Sequence, residues 1–132
     1  MGSLNFLKRV NLAAGLAFAM TPTTAAADNC DQPNLTGFDS VYCFSKVFIG
    51  EDTRLNEQYG ALRAQLSSAD RDTLRTAQLG WIARRDGACM TAPTTVNVDC
   101  ALRMTRERAD FLSARIVECQ SVGCASSKLD DY

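Results

Sequence analysis

The stretch SSADRDTLRTAQLGWIARRDGAC (residues 67–89), followed by MTAPTTVN (90–97) and VDCALRMTRERADFLSARIV (98–117), decides the fold. Ser67 stands three residues before Asp70, a spacing that suits an N-cap with a carboxylate at the positive helix end. Behind it Leu74, Ala77, Trp81, Arg85 and Ala88 fall on one side of a 3.6-residue repeat, which predicts a helix over about 70–90. The run Thr91-Ala92-Pro93-Thr94-Thr95 breaks that pattern, because proline and β-branched polar residues do not continue a helix. From Asn97 or Asp99 to Val117 the periodicity returns, with Ala101, Met104, Arg108, Phe111 and Arg115 aligned and Thr105, Leu112 and Ile116 beside them. The reading is two long antiparallel helices, about 70–90 and 98–117, hinged by the proline loop.

Upstream, two shorter helices are expected. The first begins at Thr36, whose spacing to Asp39 fits a capping box, and carries Phe38, Val41, Phe44 and Phe48 until Gly50 stops it. Asp52 or Thr53 would cap the second, where Leu55, Tyr59, Leu62 and Leu66 form one stripe. No segment alternates with period two long enough to compete as a strand, so the expected class is all-α.

Residues 1–27 read as a cleaved secretory leader: Lys8 and Arg9, an apolar run from Val10 to Met20, and Ala25-Ala26-Ala27 before the cut. This run of 11 residues, interrupted only by Asn11, is too short to span a bilayer. Ala27-Asp28-Asn29 before Cys30 is not a lipoprotein lead-in, and Phe6 spoils a myristoylation pattern, so no membrane anchor is expected after cleavage. The remaining 105 residues (28–132) form one domain with a core at about 36–117, carrying 12 basic and 15 acidic groups, a net charge of −3. That balance gives no footing for nucleic acid. The absence of histidine excludes His-based triads, Cys/His pairs and His-ligated zinc.

All six cysteines lie in the mature part, an even count that reads as a disulfide framework in an oxidising compartment, periplasmic or secreted. Cys89 and Cys100 flank the proline loop and would clamp it. Cys30 with Cys43 would tie the N-terminal arm to the first helix, and Cys119 with Cys124 would close a short loop. Six cysteines allow 15 pairings, and the main rival joins Cys30 to one of the C-terminal pair. There is no C-x2-C spacing for a metal or redox centre, so no metal and no cofactor is expected.

Several residues are more particular than periodicity requires: Cys30 and Cys43; Asp52, Leu55, Asn56 and Tyr59; Gln78, Trp81, Arg85, Asp86 and Cys89; Cys100, Thr105 and Arg108. In this order they resemble the LprI-like family of small exported bacterial proteins, named after a lysozyme inhibitor. The resemblance runs to about Leu112 and leaves Cys119 and Cys124 outside. Read physically, the group is mainly structural. Trp81 would bury between helices while Gln78 reaches a polar partner, Arg85 would pair with Asp52 or Asp110, and Asn56 would bond a helix terminus.

The resemblance implies an envelope binding protein, not an enzyme, with a lysozyme or other muramidase as partner. Such an enzyme of the animal type is basic and works with two carboxylates, so an acidic partner would be steered toward it. The clamped loop, with Thr91, Thr94, Thr95 and Asn97, is the segment expected to be presented, since a closed loop keeps its shape at low entropy cost. The alternatives are an interaction or immunity-type module with another partner and, behind it, a carboxylate-based wall hydrolase. Asn34-Leu35-Thr36 reads as a turn and cap, not a glycan site.

Overall fold

A computed structural model describes residues 29–131; the expected leader lies outside them. The chain runs through a short 3-10 turn at Asn29–Asp31, helix α1 (Gly37–Gln65), helix α2 (Ser68–Cys89), strands β1 (Met90–Ala92) and β2 (Thr95–Val96), helix α3 (Val98–Ser121) and a second 3-10 turn at Ser126–Lys128. It is mostly helical, as the periodicity implies. Both long helices of the sequence reading are present. Ser67 caps α2 by accepting from the Asp70 amide at 3.2 Å, and Asn97 caps α3 by accepting from the Cys100 amide at 3.0 Å.

Three expectations need correction. The two short N-terminal helices are one helix, the longest in the described chain, because Gly50 and Asp52-Thr53 lie inside α1 and neither stop nor cap it. A helical glycine costs about 1 kcal/mol against alanine, which two apolar segments in phase on either side of Gly50 outweigh. The Thr36 hydroxyl forms no cap bond; the Asp39 amide is held by the Thr36 backbone carbonyl at 3.2 Å, and Gly37 takes a φ of 54°, a region that favours glycine. The proline loop contains a small antiparallel ribbon, with Met90 paired to Val96 and Ala92 to Thr95, too short to announce itself by alternation.

The core gathers Leu55, Leu62 and Leu66 of α1, Leu74 and Trp81 of α2, and Ala109 and Leu112 of α3. Leu129, after the last turn, enters the same cluster at 1% exposure. Disulfides join Cys30 to Cys43, Cys89 to Cys100 and Cys119 to Cys124. The α1–α3 contact is held outside the core by ion pairs. Arg106 reaches Glu51 at 2.9 Å, while Arg54 bridges Glu51 at 2.9 Å and Asp110 at 2.8 Å. The hydrogen bond from Arg106, helped by Arg54, holds the Glu51 carboxyl below its ordinary value against the opposing effect of burial.

Candidate functional site

The α2 helix brings Gln78, Trp81 and Arg85 to one side, and α3 answers with Thr105 and Arg108. Trp81 is 1% exposed and packs in the core. Arg108 is fully buried, donates from Nε to Gln78 Oε1 at 3.0 Å, and lays its guanidinium 4.9 Å from the Phe111 ring centre. Thr105, also buried, donates to the Ala101 carbonyl at 2.8 Å. Among the described residues the indole N–H of Trp81 has no hydrogen-bond partner. Leu55 is buried and Tyr59 half-buried against the same cluster. These residues set helix packing, and of them Gln78 and Tyr59 are partly exposed.

Arg85, Asp86, Asp52 and Asn56 are placed differently. Arg85 pairs with neither Asp52 nor Asp110. It donates from Nε and Nη2 to Asp86 Oδ1 at 2.9 and 2.8 Å, with its guanidinium 5.0 Å from the Trp81 ring centre. The adjacent carboxylate and the ring on its own helix engage its guanidinium, and Arg54 takes Asp110 instead. Asn56 bonds no helix terminus; its amide donates to the Asp52 carbonyl and carboxylate at 2.9 and 3.0 Å, one turn back on α1. Ala88, placed by periodicity on the inner side, is exposed, and Cys89 is buried in its place.

Arg85 and Asp86 line a shallow groove at the disulfide-clamped end of the bundle. One depression of about 260 Å³ is bounded by Arg85, Asp86, Cys89, Met90, Val96 and Ala101. A second, of about 270 Å³, shares Arg85, Asp86, Val96 and Ala101 with it and adds Phe48 and Val98. Farther along, Val98 faces Val41 and Phe44 of α1 across a third. The groove is apolar apart from the Arg85–Asp86 pair, and its wall of Met90 and Val96 from the ribbon and Val98 from α3 is about half exposed. The four loop residues singled out from sequence divide. Thr94 and Thr95 stand exposed at the ribbon turn. Thr91 is exposed as well, but its hydroxyl lies 3.4 Å from the Thr95 carbonyl, and the Asn97 side chain is used as the α3 cap. The groove residues Phe48, Met90, Val96 and Val98 were not singled out from sequence: Phe48 reads as an ordinary core position, and the other three lie in or beside the loop among its polar residues.

A profile described as lysozyme inhibitor LprI matches residues 28–112. The chain belongs to this family. No curated protein and no solved structure matches it. The LprI match takes in α1, α2, the ribbon, the clamped end with its groove, and α3 as far as Leu112. The rest of α3, the Cys119–Cys124 bridge and Leu129 lie beyond the LprI segment, although Leu129 completes the core. Among the described residues no cluster of three or more acidic or cysteine side chains is arranged to hold a metal, and no helix is long and apolar enough to cross a membrane.

Proposed function

We propose that this protein is an exported, envelope-resident inhibitor that binds a lysozyme-type muramidase stoichiometrically through the clamped end of the bundle. The reading rests on the family match across residues 28–112. The groove supports it: apolar contact surface, a rigid ribbon closed by Cys89–Cys100, and Asp86 and Asp99 on the elements beside it. The mature charge of −3 suits electrostatic attraction to a basic enzyme. Asp86, the carboxylate in the groove, is engaged by Arg85, which favours recognition over general acid–base work. Three disulfides fit an oxidising location, periplasmic or secreted.

The test is a cell-wall turbidity assay with a basic animal-type lysozyme and increasing amounts of the exported, oxidised protein. Inhibition should saturate at a fixed molar ratio and weaken with added salt. Val96→Asp, at a half-exposed ribbon position, should raise the inhibitory concentration by about tenfold or more. Absence of any complex would leave an interaction module with another partner. Wall lysis by the protein alone would assign it as a hydrolase.

A further inference from the structure

The first half of α1 carries an apolar face that adjoins the groove at Val41 and Ser45 and continues beyond it. Phe38, Val41, Tyr42, Ser45 and Ile49 follow helical spacing, and the four large ones are 92%, 67%, 56% and 63% exposed in order, leaving out Ser45. Farther along the same side come Asp52 and Asn56, bonded to each other, so the apolar face ends with Ile49. Cys43, which ties down the N-terminal arm, is buried and sits well round the helix, so the tie leaves this face open. Contiguous exposed apolar surface of this kind marks an association site.

We propose that the face docks a second copy of the same chain, α1 against α1 in opposite directions across a two-fold axis. A two-fold contact must be self-complementary, and this face meets that demand. With the helices crossed about their middle, Phe38 falls opposite Ile49 of the second copy and Tyr42 opposite the small Ser45. Asp39 and Lys46 share one flank of the helix. The two-fold axis brings Asp39 alongside Lys46 of the other copy and repeats the pairing in reverse, so charge as well as shape is matched twice. A lipid surface would instead call for a basic surplus beside the apolar face, which the mixed Asp39/Lys46 flank does not offer. About three helical turns is a small interface, below the roughly 800 Å² per partner of stable complexes, so the dimer should form in the micromolar range. The inference does not rest on the inhibitory role, and a failure to bind lysozyme leaves it intact.

Sedimentation of the exported, oxidised protein from about 1 to about 500 µM tests it. The weight-average mass should rise from monomer toward dimer. Phe38→Asp should weaken association by about tenfold or more, and helical circular dichroism should be unchanged because the side chain is exposed. Asp39→Lys should weaken it by a few-fold, and the double variant Asp39→Lys/Lys46→Asp should recover most of that loss. A monomer at every concentration, or a dimer indifferent to Phe38→Asp, would overturn the proposal. So would Phe38-dependent cosedimentation of a monomer with phosphatidylglycerol vesicles, which would give the face to lipid.

Discussion

Arg108 sits at 0% exposure, where Gln78 accepts from Nε and the Phe111 ring lies 4.9 Å from the guanidinium carbon. Replacing Gln78 with leucine removes that acceptor inside the protein. The expected cost is about 1–3 kcal/mol in urea unfolding, with an unchanged slope. Trp81 offers a contrast. Its ring fills the core but its N–H is unpartnered, so Trp81→Phe loses volume while removing an unsatisfied donor. Trp81→Ala should cost about 3–5 kcal/mol and Trp81→Phe clearly less, by the same measurement. The burial of Trp81 and a polar partner for Gln78 were legible from helical spacing alone. The partner of Arg85 was not, because spacing shows which side of a helix a residue occupies but not whether a sequence neighbour will outcompete a residue on another helix.

At the scale of elements, α1 shows why local punctuation can mislead. Gly50 is a real helix breaker by propensity, yet the residues on both sides keep one apolar phase, and Glu51 and Arg54 fasten the helix to α3 just beyond it. A Cβ added at Gly50 would meet nothing within 4 Å, so Gly50→Ala should raise stability by about 0.5–1 kcal/mol in thermal or urea unfolding. Gly123 is the opposite case. Its φ of 97° strains any substitution, and Gly123→Ala should destabilise. The α1–α3 ion pairs also predict a pH response. Because the folded Glu51 carboxyl is held below its ordinary value, its contribution is complete above that value and is lost as acid titrates the folded group. Arg54 and Arg106 are partly exposed, so the effect is screened to about 0.5 kcal/mol. Glu51→Gln should flatten unfolding free energy against pH by that amount below about pH 5. The Glu51–Arg54 spacing was visible in the sequence; that α3 would supply Arg106 and Asp110 was not, since it depends on how two distant segments line up.

For the molecule as a whole, the helical class and the bend between α2 and α3 were readable from periodicity and one proline, whereas the groove was not, being assembled from α1, α2, the ribbon and α3 only after packing. Its rigidity depends on the bridge between Cys89 and Cys100, 11 residues apart. Replacing both with serine should cost about 2–4 kcal/mol of stability and, if the clamped end is the binding surface, reduce lysozyme inhibition more than stability alone explains. The far end is closed by other means. Lys128 pairs with Glu118 at 2.6 Å, and hydrogen bonds from Ser126 and Ser67 hold the Asp70 carboxyl below its ordinary value, fastening the tail to the start of α2. Between these ties Leu129 enters a core whose other members lie between residues 55 and 112. The unit delimited by shared ancestry and the unit able to fold therefore have different borders. A protein trimmed at Leu112 would retain every family residue yet expose an apolar hollow, inviting the proteases that patrol for unfinished chains.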